Sequence, residues 1–358
     1  MNFFKKQVLG VDLGARTIKG VKLTRAKDGK VHLAGHFFQD LLQTSEDFPA
    51  RSNRDEVLKA SIEVQQLSSS SAATTVRDSD VMTFSFNLPK MPEKELLQVV
   101  PQEVGELARM SMDDQCCDFW VTADKNDDPD VTLIKAFCVK RDLVVAQMKV
   151  LEESGLKPSS IESEMMAITA MLDFNGYIDP KEVVIVLDLG ESHINSGLIT
   201  DGVLTLTRTE ETAFGSVNQR LREKCNMSYE EAERVKLGYN FLAPEENRGT
   251  VGEVLDETFM EILKGLKALV EFYKECPESF GKVDRILLLG GASQVKGIDK
   301  VHEMFFKVPT QVVNPFRNID IYSSSLDQSH EEIALLAPYM GTAVGLALVS
   351  VPDGKKAA

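Results

Sequence analysis

Two stretches of nearly the same design constrain this chain more than any other feature. "VLGVDLGARTIKGVKL" covers residues 8–23, and "VIVLDLGESHINSGLI" covers residues 184–199. In each, an apolar run ends in an aspartate, turns on a glycine and resumes as a second strand. A third strand-like run follows each stretch, after the Asp-Gly turns at residues 28–29 and 201–202. The repeat predicts two similar strand meanders in domains that face one another.

The chemistry of the repeat comes from its aspartate and glycine. Asp12 and Gly14 align with Asp188 and Gly190. A glycine turn lets backbone N–H groups approach phosphate oxygens, because no Cβ intervenes. The aspartate alone would repel phosphate, so we expect it to hold a magnesium ion or its water shell. The two loops are therefore predicted to clamp a triphosphate, with Asp12 and Asp188 as the metal residues.

Two further segments fit the same site. In "RILLLGGASQVKGI", residues 285–298, a buried strand ends in a diglycine, and a helix is expected to begin near Ser293. A flat ring or a ribose can lie on such bare backbone. In "YEEAERVKLG", residues 229–238, Glu233 and Lys236 share one helix face. Without the other motifs, that pair would be interpreted as a solvated ion pair.

Length and charge limit the remaining possibilities. A chain of 358 residues predicts two domains. Its formal charge of −15 argues against a nucleic-acid partner and against adsorption to anionic lipid. No apolar run is long enough to span a bilayer, so direct membrane insertion is not expected. Five cysteines without a CxxC pair fit a reducing cytosol, and a cytoplasmic location is predicted.

In order and spacing, these motifs resemble those of the actin-like ATPase superfamily and, within it, the PilM family of type IV pilus assembly, which is related to FtsA. The stretch "LPKMPEKELLQVVPQEVGEL", residues 88–107, carries most of the likeness to the family. The resemblance implies an α/β, duplicated actin-like (ribonuclease H-like) fold with an inserted small α/β subdomain. It implies ATP and Mg²⁺ as cofactors, and the expected nucleotide-contacting residues are Asp12, Gly14, Ala15, Arg16, Thr17, Lys19, Asp188, Gly190, Glu191, Glu233, Lys236, Gly290, Gly291 and Ala292.

The resemblance also implies a division of the chain. Four units are expected: a first large subdomain (residues 1–80, 158–182 and 341–358), an inserted small subdomain (81–157), a second large subdomain (183–222 and 283–340) and a helical nucleotide lid (223–282). The serine-rich segment 67–75 is predicted to be a loop with no core to bury. Pro101 is predicted to kink or restart the helix that contains it.

The function that best fits these features is a nucleotide-dependent binding module. Closure of the two large subdomains around ATP would change a surface that a protein partner binds. By the resemblance, that partner is the N-terminal peptide of a bitopic inner-membrane PilN-like protein, which would recruit this chain to the inner membrane. Residues 93–108 carry an apolar stripe at helical spacing, and the peptide is expected in a seam between the inserted and first large subdomains. Self-association is left open.

Other functions remain open from the sequence. A type II secretion component like GspL, an FtsA-like cytoskeletal protein and a small-molecule kinase share the fold. No residue is clearly placed as a general base, so the chain is expected to be at most a slow ATPase. His193 in the second loop is expected to be hydrogen-bonded or to face solvent.

Overall fold

The computed structural model describes residues 7–41, 54–67, 70–123, 130–243, 249–279, 281–321 and 330–351. Within these residues, the strands are β1 Gln7–Leu13, β2 Thr17–Arg25, β3 Val31–Asp40, β4 Ser71–Val76, β5 Met82–Pro89, β6 Gln115–Ala123, β7 Val131–Lys140, β8 Lys157–Ser163, β9 Val184–Leu189, β10 Ile194–Thr200, β11 Val203–Glu210, β12 Arg285–Leu289 and β13 Thr310–Val312. The helices are α1 Arg54–Val64, α2 Glu93–Ala108, α3 Arg141–Glu153, α4 Glu164–Phe174, α5 Gly215–Cys225, α6 Tyr229–Gly238, α7 Thr250–Glu275, α8 Ile298–Phe306, α9 His330–Leu336 and α10 Gly341–Ser350.

Two of the three sheets have the same construction. The first sheet has the order β3-β2-β1-β4-β8, and the second has the order β11-β10-β9-β12-β13. In each, an antiparallel meander is extended by two parallel strands. Asp201 and Gly202 have φ angles of 55° and 79°, as a two-residue hairpin turn requires. The two predicted meanders are therefore confirmed.

Helices α4 and α10 fill the space between these two sheets. One hydrophobic cluster joins Val8 of β1, Val186 of β9, Met165 of α4 and Ala343 of α10. The two helices cross closely, because a Cβ on Gly345 would lie 1.8 Å from the carbonyl oxygen of Ala167. These helices thus connect the two halves of the molecule and are buried in its core.

The serine-rich segment was predicted incorrectly. Residues 71–76 form β4, which lies inside the first sheet between β1 and β8 rather than in a loop. Ala72, Ala73 and Thr74 are fully buried, and Ala73 packs against Ala167 and Leu346 of the crossing helices. The small side chain of Ala73 fits there because α4 and α10 pack over that face of the strand. The segment therefore looks polar in sequence although it occupies a central strand.

A third, three-stranded sheet has the order β5-β7-β6. Helix α2 covers one face of it with Leu96, Val100 and Val104, so most of the apolar stripe packs on its own sheet. The helix continues through Pro101 without restarting. Helix α3 follows this sheet in sequence, and its Leu151 is buried with Leu9 and Val11 of the first sheet.

Helices α5, α6, α7 and α8 cover the far side of the second sheet. Helix α7 buries one side, including Phe259, Ile262 and Leu266, against the core shared with β9, β10 and β12.

Across the described ranges, no single helix is long and apolar enough to cross a membrane. Only the bent pair Glu331–Tyr339 with Gly341–Ser350 reaches that length and composition, when both parts are counted together.

Candidate functional site

A cavity of about 330 Å³ lies where the two glycine turns face each other. The loops after β1, β9 and β12 and one face of α6 form its walls. All of the residues predicted to contact a nucleotide line it: Asp12, Gly14, Ala15, Arg16, Thr17, Lys19, Asp188, Gly190, Glu191, Glu233, Lys236, Gly290, Gly291 and Ala292. The fold thus brings four separate sequence motifs to one place.

The three glycine turns leave no room for a side chain. A Cβ on Gly14 would lie 2.8 Å from the carbonyl oxygen of Thr17, and one on Gly190 would lie 2.5 Å from that of His193. Gly290 has a φ of +87°, and its Cβ would lie 2.5 Å from Oδ1 of Asp188. Bare backbone therefore borders the cavity on three sides, as close contact with a phosphate or a ring requires.

Asp12 and Lys19 form a buried ion pair at the first turn. They are directly opposite each other on β1 and β2, and Lys19 Nζ lies 2.6 Å from Asp12 Oδ2. Both residues are less than a tenth exposed. Each keeps the other from being an isolated buried charge, and the pair places a cation beside the cavity.

Asp188 is in a different electrostatic environment. Burial, together with the charges of Asp12 and Glu164, raises the pKa of Asp188 to about 7, although Lys19 acts against this shift. The surrounding protein groups therefore do not fully compensate a negative charge on Asp188. A divalent cation would do so, and this carboxyl group suits one.

The protein alone does not assemble a metal site here. In the part of the chain that the structure describes, no three His, Cys, Asp or Glu residues are grouped so that they could hold a metal ion. An ion at Asp12 and Asp188 would need phosphate oxygens and water as its other ligands, as Mg²⁺ commonly takes.

The Glu233–Lys236 pair of α6 is not a solvated surface pair. Lys236 Nζ lies 2.7 Å from Glu233 Oε2 and 3.2 Å from Glu191 Oε2, and the Lys236 side chain is 3% exposed. Burial alone would raise the pKa of Glu233, but Lys236 and Arg16 hold it below its usual value. The pair thus connects α6 to the second glycine turn, within the cavity wall.

Glu164, the first residue of α4, was not predicted from the sequence. Its carboxylate lines the cavity and accepts a hydrogen bond of 2.7 Å from Asn195 Nδ2. His193 Nε2 lies 3.7 Å from the same carboxylate, which raises the pKa of His193. Glu164 carries no local motif and reaches the cavity only because α4 crosses between the sheets.

The helix expected near Ser293 begins later. A single 3-10 turn spans Gly291–Gln294, and α8 starts at Ile298. Extended backbone at Val295 and a φ of +79° at Gly297 separate the two. The diglycine is therefore followed by a short 3-10 turn and not directly by α8.

A second, larger cavity of about 670 Å³ lies between the third sheet and the first. On the third sheet, Trp120 and Phe137 line this cavity, and their ring centroids are 4.8 Å apart. On the first sheet, Ile161 of β8 lines it. Among the described strands, β6 pairs only with β7 and β8 only with β4, so each has one edge that carries no other strand. The carboxylates of Asp118, Glu162 and Asp173 also line this cavity.

Comparisons with known proteins identify one family. The model of the family described as type IV pilus assembly protein PilM matches residues 10–351. Among solved structures, the PilM-PilN type IV pilus biogenesis complex matches with a TM-score of 0.75 and 19% identity, over 96% of this chain and 98% of that one. The ethanolamine utilization protein EutJ from Carboxydothermus hydrogenoformans matches with a TM-score of 0.54 and 16% identity, over 96% and 89%.

These likenesses, with the two matched sheets and the third inserted between β4 and β8, show the fold. It is an actin-like, duplicated α/β fold with an inserted small α/β unit, as predicted.

Proposed function

The chain belongs to the PilM family of type IV pilus assembly proteins, and on that premise we propose that it binds ATP with Mg²⁺ and docks the N-terminal peptide of an inner-membrane protein. It is an actin-like component of the type IV pilus machinery. The convergence of two matched Asp-Gly turns and a diglycine on one cavity supports the nucleotide.

The residues around the cavity fit a nucleoside triphosphate. The backbone at Gly14 and Gly190 is open to phosphate oxygens, and Lys19 supplies a cation nearby. Mg²⁺ would neutralise part of the phosphate charge beside Asp12 and Asp188. Leu237, Leu336 and Pro338 line the same cavity as Gly291 and offer apolar surface to a base. We assign Glu233 and Lys236 to the ribose or base.

Calorimetry with ATP and Mg²⁺ tests this assignment. Asp12→Ala and Asp188→Ala should each lose about 1–3 kcal/mol of magnesium-dependent binding free energy, as for a charged hydrogen bond. Glu152→Ala, an exposed carboxylate on α3 away from the cavity, is the matched control and should bind like the wild type. Unchanged affinity in both aspartate variants would refute the two-turn site.

Turnover is expected to be slow, well below the roughly 1–100 per second of kinases. We propose Glu164 as the group that accepts a proton from an attacking water, because its carboxylate lines the cavity. Its neighbours Asn195 and His193 both contact the same oxygen, Oε2, and already engage it. A fast steady-state rate with a small-molecule acceptor would instead favour a kinase.

We assign the partner peptide to the cavity between the third and first sheets. The open edges of β6 and β8 border it, so an extended segment can add main-chain hydrogen bonds there while alternate side chains enter the cavity. Trp120 and Phe137 offer an apolar surface, and the three carboxylates favour a positively charged segment. We therefore expect the N-terminal segment of the PilN-like partner to be apolar and basic.

Two neighbouring residues of β6 provide a matched test. Trp120 lines the cavity and is 36% exposed, whereas Val121 is 55% exposed and alternates to the other face of the sheet. Trp120→Lys should weaken binding of the partner's N-terminal peptide by more than tenfold, since a buried aromatic anchor typically contributes about 2 kcal/mol or more. Val121→Lys should bind as the wild type does. Full binding by folded Trp120→Lys, or crosslinking of the peptide to α6 or α7, would place the peptide elsewhere.

A further inference from the structure

Arg16 spans the mouth of the nucleotide cavity. It follows the first glycine turn, and its Nη2 lies 2.7 Å from Asp40 Oδ2 at the end of β3. Its Nη1 lies 2.8 Å from Glu233 Oε2 and donates a hydrogen bond of 3.0 Å to the Tyr229 hydroxyl. The guanidinium carbon is 4.7 Å from the centroid of the Tyr229 ring. One side chain thus ties the first sheet to helix α6.

The contacts of Arg16 are shielded from water. The Arg16, Asp40 and Glu233 side chains are 15%, 6% and 13% exposed. Burial alone would lower the pKa of Arg16, but the hydrogen bond to Asp40 and the charge of Glu233 raise it above its ordinary value. Breaking a buried pair costs far more than breaking a solvated one, because each charge is left without a partner.

The same residues separate two spaces. A groove of about 310 Å³ lies against the outer side of the Arg16 cluster, with Tyr229 and Arg234 in its walls. Arg16, Asp40, Glu233 and Leu237 line both this groove and the inner cavity. These four residues therefore separate the inner cavity from the groove, and we call them the partition.

The partition is also connected to the second glycine turn. The Tyr229 hydroxyl accepts a hydrogen bond of 2.9 Å from Asn218 Nδ2 and donates one to Glu191. Glu191 directly follows Gly190, so the state of the second turn is connected to the partition through Tyr229.

We propose that Arg16, Asp40, Tyr229 and Glu233 form a gate that opens when a nucleotide enters or leaves through the groove. Arg16 then controls nucleotide exchange and does not act as a phosphate ligand, because the Asp40 carboxylate and the α6 groups engage its guanidinium on two sides. This inference rests on the proposed nucleotide site, and the gate itself is a property of the protein without nucleotide.

Hydrogen exchange tests the gate without any nucleotide. In Arg16→Ala, the backbone amides of α6 should exchange about tenfold faster than in the wild type, since about 1.4 kcal/mol of opening free energy corresponds to a factor of ten. Arg16→Lys, which keeps the charge but cannot form the fork to Asp40, should be intermediate. Arg234→Ala, a groove arginine that does not line the inner cavity, is the matched control and should exchange like the wild type. Unchanged protection of α6 in Arg16→Ala would overturn the gate.

Nucleotide kinetics separate a gate from a ligand. With a fluorescent ADP analogue in stopped flow, loss of a gate should raise the association and dissociation rates of Arg16→Ala together, each by several-fold. Loss of a phosphate ligand would raise only the dissociation rate, and that result would contradict the inference. If the wild type bound no nucleotide, the proposed function would fail, while hydrogen exchange would still decide whether the Arg16 cluster closes the cleft.

Discussion

Asp78 follows β4, and its buried carboxyl group contacts the start of α4, one of the two helices that connect the halves of the molecule. It is 6% exposed, and its Oδ2 accepts a hydrogen bond of 2.9 Å from the backbone N–H of Met165 in α4. Burial and the neighbouring charge of Glu164 raise the pKa of Asp78 to about 7, against the hydrogen bonds from Ser163 and Met165. In the unfolded chain an aspartate has a pKa of about 3.9, so folding favours the protonated form.

The sign of the pH effect follows from these two values. The stability that a protonated Asp78 provides is complete below pH 4 and is lost as the pH rises to about 7. Asp78→Asn keeps the acceptor for Met165 and cannot ionise. The free energy of unfolding of Asp78→Asn minus that of the wild type should therefore be larger at pH 8 than at pH 5, by about 2 kcal/mol, because only the wild type loses stability over this range. Urea denaturation across this range measures the difference.

The control for this measurement is Asp80→Asn, since Asp80 forms an ion pair with Arg77 whose side chain is largely exposed. Its difference from wild type should hardly change with pH. A pH-independent difference for Asp78→Asn would show that Asp78 is ionised in the folded protein throughout.

Single site residues could be predicted from the sequence where the local backbone alone determines their contacts. The tight turns at Gly14 and Gly190 each close onto the carbonyl three residues later, so a short motif contains the whole constraint. The pairing of Arg16 with Glu233 depends on how α6 is laid across the cleft, and Glu164 depends on the crossing of α4. Such contacts join residues far apart in the chain, and periodicity or spacing carries no information about them.

At the scale of elements, the crossing of α4 and α10 is set by glycine. Gly345 lies against the backbone of Ala167, so a methyl group there collides with main-chain atoms that cannot move aside as a flexible side chain does. Gly265 in α7 is the opposite case, because a Cβ at that position meets nothing within 4 Å.

Alanine at these two glycines should act in opposite directions. Gly345→Ala should lower the free energy of unfolding by about 1–3 kcal/mol through overpacking. Gly265→Ala should raise it by about 0.4–1 kcal/mol, since alanine restricts the unfolded chain and favours the helix. Chemical denaturation of both variants measures this. Equal effects of the two substitutions would show that the helix crossing relaxes and that close approach does not fix it.

Element types were predictable where pattern and turn chemistry agreed, as in both meanders. The prediction failed for β4, because Ser71, Ala72, Ala73 and Thr74 lack the large side chains that mark a buried strand. Ala73 packs against α4 and α10, and that contact arises only after the chain has folded. The open edges of β6 and β8 were likewise unpredictable, since strand order is a property of the topology.

In the whole molecule, the second sheet borders both the nucleotide cavity and the cavity between the third and first sheets. We call the latter the peptide cavity, because we assign the partner peptide to it. The turn before β10 carries Gly190 and borders the nucleotide cavity, and the turn after β10 carries Gly202 and borders the peptide cavity with Val203. The third sheet, the first sheet and residues of α4 and α10 supply the other walls of the peptide cavity. Any rotation of the second sheet about α4 and α10 therefore changes the nucleotide cavity and the peptide cavity together.

We expect nucleotide and peptide to be coupled through this sheet, by a factor of about five or more. Saturating ATP with Mg²⁺ should change the peptide's dissociation constant, and saturating peptide should change that of the nucleotide by the same factor, because the coupling free energy is shared.

Val203→Ser removes the apolar contact from the second sheet and should reduce the coupling factor towards one. Val349→Ser removes a similar contact on α10, with 45% exposure against 41% for Val203, and should leave the factor unchanged. Titrations of both variants by anisotropy decide the matter: full coupling in Val203→Ser would exclude the turn after β10 as the route, and a peptide affinity that ignores bound nucleotide would exclude coupling altogether.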